Sequence, residues 1–153
     1  MPYPHVLTSL TPREAVADAL SRALIAFDHN DAALLNTAFA ADIKLSHPAG
    51  EMNQLSDLHK LLAHVGPMDS THMISNLRVE VKDGADIASL TAYTLAQHSP
   101  PGRGKEPGGP KYMVAGEYAI DVVKEGKEGL WKIKSGVFTV IWGQGDASVM
   151  RPA

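Results

Sequence analysis

Two alternating runs joined by a short polar turn constrain this chain more than any other feature. Ser70 to Val81 and Asp86 to His98 each spread apolar residues at every second position, the period of a β-strand, and Asp83-Gly84 between them suits a tight reversal. A long hairpin is therefore expected. A strict period of two places His72, Ile74, Asn76, Arg78 and Glu80 on one face of the first strand. The second strand gathers Ala88, Leu90, Ala92, Thr94, Ala96 and His98 on a face of mostly small residues, which leaves room beside a curved sheet for a ligand. Taken singly, His72 and His98 also fit hydrogen-bonded core or rim residues; their convergence on one interior is the stronger clue.

The remaining elements surround this hairpin. Thr11-Pro12-Arg13-Glu14 has the spacing of a capping box, with proline in the first turn, and starts a helix whose Val16, Leu20, Leu24 and Phe27 share a face. Asp28 falls near the end of that helix. It either projects inward, where it needs a donor, or orders the turn at Asp28-His29-Asn30-Asp31. Ala32 to Phe39 reads as a second, short helix, Ile43 to His47 as a short strand delivering His47 inward, and Leu55 to Val65 as a helix stopped by Gly66-Pro67. His59 and His64 are expected at its surface or end.

Ser99 to Pro110, SPPGRGKEPGGP, is the clearest loop and is read as flexible, either as a flap beside His98 or as a surface insertion. Its glycines lack the spacing and helix context of a phosphate-binding loop. Lys111 to Val123 and Leu130 to Trp142 are two more long strands, the second with a bulge or bend expected at Gly136. Trp131, Ile133, Val137 and Ile141 are expected in the core. Helix, helix, strand, helix and then four long antiparallel strands make an α+β cone, a curved antiparallel sheet wrapped against the N-terminal helices. At 153 residues the chain is expected to form a single domain, 1–153, with an N-terminal arm at 1–10 containing Pro2, Tyr3 and Pro4. Residues 144–153 read as a weakly structured tail that closes the cavity or joins an oligomer interface.

Composition narrows the chemistry. The 14 basic and 17 acidic residues are interspersed, giving a net charge of -3 and no basic stripe for nucleic acid. Without cysteine there is no thiolate nucleophile, disulfide or cysteine-based zinc site. The seven histidines are dispersed without a compact ligand motif, so no metal and no cofactor are expected. The N-terminus lacks the pattern of a secretory signal and no run is long enough for a membrane span, so a cytoplasmic protein is expected.

Phe27-Asp28 followed by Asp31, the segment Thr71 to Asn76, the strand ending at His98, and the pieces Leu130-Trp131-Lys132 and Ile141-Trp142-Gly143 together resemble the NTF2-like superfamily, in particular its SnoaL-like and scytalone dehydratase-like branch. The resemblance covers roughly residues 11–146. It implies Asp28, His72 and His98 as catalytic groups in the cone. Phe27 and His47 stand where the branch carries tyrosines, which implies altered substrate recognition. The branch's later-strand serine and asparagine align near Gly116 and Tyr118. The expected activity is a cofactor-independent acid-base dehydration of a small cyclic or polyketide-derived hydroxy ketone. The base is an Asp28-oriented His72, His98 binds or protonates an oxygen, and His47, Asn76 and Tyr118 are further donors. Polyketide cyclisation or isomerisation through an enolate is the alternative, and a non-enzymatic ligand-binding protein the competitor from a different class. The expected partners are a small hydrophobic or aromatic substrate and further copies of the chain in a dimer or trimer, with no nucleic acid and no membrane.

Overall fold

In the computed structural model, which describes residues 4–152, the Thr11 side chain accepts from the Glu14 amide and the Glu14 carboxylate accepts from the Thr11 amide, closing the expected capping box. This launches α1 (Pro12–Asp28), whose Val16, Leu20, Leu24 and Phe27 are all buried. Asp31 caps α2 (Ala32–Ala38), and the chain turns directly into β1 (Phe39–His47), longer than the Ile43 to His47 read from sequence. A short return strand, β2 (Gly50–Met52), precedes α3 (Leu55–Val65). Four long strands follow: β3 (Asp69–Val81), β4 (Ile87–Ser99), β5 (Tyr112–Glu125) and β6 (Leu130–Gly145).

The six strands form one sheet in the order β2-β1-β6-β5-β4-β3. All neighbouring pairs are antiparallel except β1 and β6, which run parallel. The helices cover its inner face and close an α+β cone around a core built from α1, α2, α3 and the inward residues of the strands. The outer face stays open and exposes Met73, Leu77, Ile87, Tyr93 and Trp142.

Three details depart from strict alternation. On β3, Asn76 and Leu77 together face the single residue Ala92, a bulge in which Asn76 takes φ 54°. The bulge flips the inward face: His72 and Ile74 point in before it, Val79 and Val81 after it, and Asn76 is exposed. On β6, the extra residues lie at Lys134 and Ile141, on either side of Gly136 where one was expected. The extra residues shift the alternation, and Val137 and Ile141, expected in the core, are exposed, whereas Trp131 and Ile133 are buried.

The ends and the loop before β5 complete the chain. The arm's Pro2 and Tyr3 lie outside the described residues, as does Ala153; within the arm, Val6 and Leu7 are exposed and His5 approaches the Asp31 carboxylate. The loop before β5 is a run of turns tied down at several points. Asp69 accepts from the amides of Gly102 and Gly104, Arg103 pairs with Glu106, and Lys111 donates to the Glu106 carbonyl. The C-terminal segment is structured too: β6 continues to Gly145, Asp146 caps a 3-10 turn (Ala147–Met150), and Val149 is buried.

One buried cation ties these layers together. Arg22, 4% exposed, donates Nε to Asp18 at 2.9 Å, Nη1 to Thr37 and Nη2 to the Trp131 carbonyl at 2.6 Å, joining α1, α2 and β6. Its removal strands a carboxylate and two acceptors. Arg22→Ala is expected to cost about 3–5 kcal/mol, read as a lower urea midpoint; a midpoint equal to wild type would refute this role.

Candidate active site

Asp28 is the last residue of α1, where the helix dipole disfavours a negative charge, so its carboxylate must find donors elsewhere. It finds three on β3. Oδ2 accepts from the His72 backbone amide at 2.9 Å, and Oδ1 accepts from Ser70 Oγ at 3.0 Å and from His72 Nδ1 at 2.6 Å. An ionised carboxylate only accepts, so His72 carries its proton on Nδ1 and Nε2 keeps a free lone pair. Asp28 and His72 retain side-chain exposures of 14% and 12%. Ser70, two residues from His72 on the same face, is a partner that sequence reasoning left unassigned; its only signal was that spacing.

His98 meets His72 edge-on, with ring centroids 5.2 Å apart and planes at 84°. Burial, seconded by repulsion from His72 when that ring is protonated, pushes its pKa down to about 4, although Asp28 and the Tyr112 backbone pull the other way. His98 is therefore a neutral imidazole near pH 7. His47 is depressed for the same two reasons, burial first. Its Nδ1 accepts from the Ala49 amide at 3.0 Å, which places the proton on Nε2 and makes that nitrogen a donor.

An aromatic stack extends the site. His47 lies on Phe138 at 5.4 Å, and Phe138 lies on Tyr118 at 4.7 Å. Phe138 occupies the space over Gly116, where an added Cβ would meet its Cε2 at 2.4 Å, so the stack needs glycine at that position. Burial, with a smaller contribution from Asp28, raises the Tyr118 phenol and keeps it a protonated donor.

These groups border one cavity of about 410 Å³, lined by Phe27, His47, His72, His98 and Tyr118 among mostly apolar side chains. That volume suits a small organic molecule. Of the residues expected at the site, Asn76 alone is not brought in, because the β3 bulge turns it to the outer surface. His64, expected at the surface or helix end, sits at the end of α3 but lines the cavity, and its Nε2 meets the Met150 carbonyl at 2.9 Å. Met150 itself closes part of the wall. Among the described residues no group of three or more His, Asp or Glu side chains is placed to hold a metal ion, and no helix is long and apolar enough to cross a membrane.

Residues 8–136 match the family model of the SnoaL-like domain. The chain belongs to the SnoaL-like family. A curated relative, the terrestric acid biosynthesis cluster protein E of Penicillium crustosum, is 35% identical over 154 residues, covering 97% of this chain and 98% of that one. Among solved structures, a candidate scytalone dehydratase of Novosphingobium aromaticivorans superposes with a TM-score of 0.72 at 20% identity, covering 90% of each chain. A LinA-type hexachlorocyclohexane dehydrochlorinase of Novosphingobium barchaimii gives 0.70 at 19% identity, covering 92% of this chain and 94% of that one. The SnoaL-like chain thus has the NTF2-like α+β fold, as its sequence features implied.

Proposed function

We propose that this SnoaL-like protein is a cofactor-independent lyase that eliminates water from a small cyclic or polyketide-derived hydroxy ketone. The observation that carries the reading is the Asp28–His72 pair, whose histidine lines a mostly apolar cavity. His72 Nε2 removes the proton next to the substrate carbonyl, and Asp28 stabilises the imidazolium that forms. The electron pair moves to the carbonyl oxygen, where His47 Nε2–H and the Tyr118 hydroxyl are donors for an enolate. Collapse of the enolate expels the β-hydroxyl, which leaves as water with the proton His72 has taken up. His98, neutral at pH 7, contributes a hydrogen bond rather than an acidic proton.

The names of the two structural neighbours support elimination as the reaction type, since dehydration and dehydrochlorination both remove a small molecule across a carbon–carbon bond. The relative from a biosynthesis cluster supports a natural-product substrate and also suits the second reading, cyclisation or isomerisation through the same enolate. A panel of cyclic β-hydroxy ketones and aromatic polyketides followed by mass spectrometry separates them: elimination yields a product lighter by one water, isomerisation one of unchanged mass. In heavy water, both predict protein-dependent deuterium uptake next to the carbonyl. A protein that binds these ketones without either exchange or turnover is a ligand carrier, and the lyase reading is then wrong. Assembly into a dimer or trimer through the exposed outer sheet face, in the cytoplasm, belongs to the same proposal.

A further inference from the structure

Two polar atoms in the cavity wall have no hydrogen-bond partner among the described residues: Thr94 Oγ1 and His98 Nδ1, in residues 4% and 5% exposed. A buried hydroxyl without a partner costs stability, and a valine would fill the same space without that cost. The surroundings of Thr94 explain its isolation. Its cross-strand neighbours are Ile74 on β3 and Gly116 on β5, one apolar and the other without a side chain, and Phe138 covers the glycine. The fold makes no use of the hydroxyl, although it borders the site.

Register fixes its relation to the base. His72 pairs with Ala96, so Thr94 and His98 lie two residues away along β4 on opposite sides of the His72 row, each about 7 Å off by the rise of a strand. His98 is already in ring contact with His72. Thr94 therefore offers a hydrogen-bonding group at the far side of the reacting position, about one ring's width from it.

We propose that Thr94 is a specificity-determining residue whose hydroxyl binds a second oxygen of the substrate, a hydroxyl or carbonyl placed across a ring from the carbon that His72 deprotonates. The substrate class is thereby narrowed to compact, largely apolar ring ketones with an additional distal oxygen. This rests on the cavity being the substrate site.

Calorimetric binding of tetralone and a set of monohydroxylated tetralones to the wild-type protein, Thr94→Val and His72→Gln tests it. At least one hydroxylated isomer is expected to bind wild type about tenfold more tightly than tetralone does. That preference disappears in Thr94→Val and persists in His72→Gln, and tetralone itself binds wild type and Thr94→Val alike. Thr94→Val is also expected to melt no lower than wild type. If no hydroxylated isomer distinguishes wild type from Thr94→Val, absence of binding included, the proposal is overturned. A clear loss of thermal stability in Thr94→Val overturns it as well, because the hydroxyl would then serve the fold. Because His72→Gln reports binding without the base, a hydroxyl preference that survives there alongside a failure of every ketone to turn over sinks the lyase reading alone.

Discussion

His72→Gln is expected to lower kcat/KM by about a hundred- to ten-thousandfold, the range a positioned general base contributes. Glutamine keeps a polar side chain of similar reach but has no lone pair basic enough to take a carbon-bound proton. Asp28→Asn is the finer probe, because it leaves size almost unchanged. An asparagine amide turned toward Nδ1 makes that nitrogen an acceptor and moves the imidazole proton to Nε2, the atom that must be free. The loss in Asp28→Asn should approach that of His72→Gln, and the double variant should be little worse than the poorer single one, since the two residues act as a unit. Steady-state kinetics on a substrate from the ketone panel reads all three. Normal turnover by either single variant would remove the pair from the mechanism.

Lowering the pH from 7 to 4 is expected to take about 3 kcal/mol of stability from His98 alone. Its pKa falls from 6.5 to about 4 on folding because the ring is buried and faces His72. Between those values the unfolded chain holds a proton that the folded chain does not, so stability rises with pH across the window and is lost as acid is added. His47, depressed in the same direction, adds to the slope. Asp31, Asp42 and Asp57 are lowered from 3.8, and their contributions are lost mainly below pH 4, outside this window. Urea midpoints for wild type and His98→Gln between pH 7 and 4 isolate the effect. The variant should show a distinctly flatter profile; parallel profiles would contradict the assignment.

What could be read from the sequence is what short-range chemistry specifies. The capping box at Thr11 and Glu14, the reversal at Lys82 to Gly84 and the inward run from Ala88 to His98 depend on neighbours within a few positions, and each formed as expected. Asp28, His72 and His98 were legible because a helix end and two adjoining strands bring them together without irregularity. Asn76 was misplaced because one inserted residue reverses a strand's faces and leaves no mark in the alternation. Val137 and Ile141 were misplaced for a related reason, since extra residues at Lys134 and Ile141 shift the alternation of β6. The His64 contact with Met150 joins positions 86 residues apart, out of reach of any local pattern, and it sets Met150 in the cavity wall, one of the two places expected for that segment.

The strand order has a consequence for how the molecule is assembled. β3, β4 and β5 form a meander of neighbours in sequence, with pairings that close over far fewer residues than that of β1 with β6. β1 pairs with nothing on its inner side until β6 arrives, close to 90 residues later, and Arg22 waits for the Trp131 carbonyl across 109. Closing so long a loop carries an entropic cost before any contact rewards it, which slows folding. The meander's pairings are local, whereas β1 and the Arg22 cation of α1 find partners on the last strand, which sits at the centre of the sheet. The last strand therefore supplies the cavity wall at Ile133, Gly136 and Phe138, whereas Asp28 takes its three donors from β3.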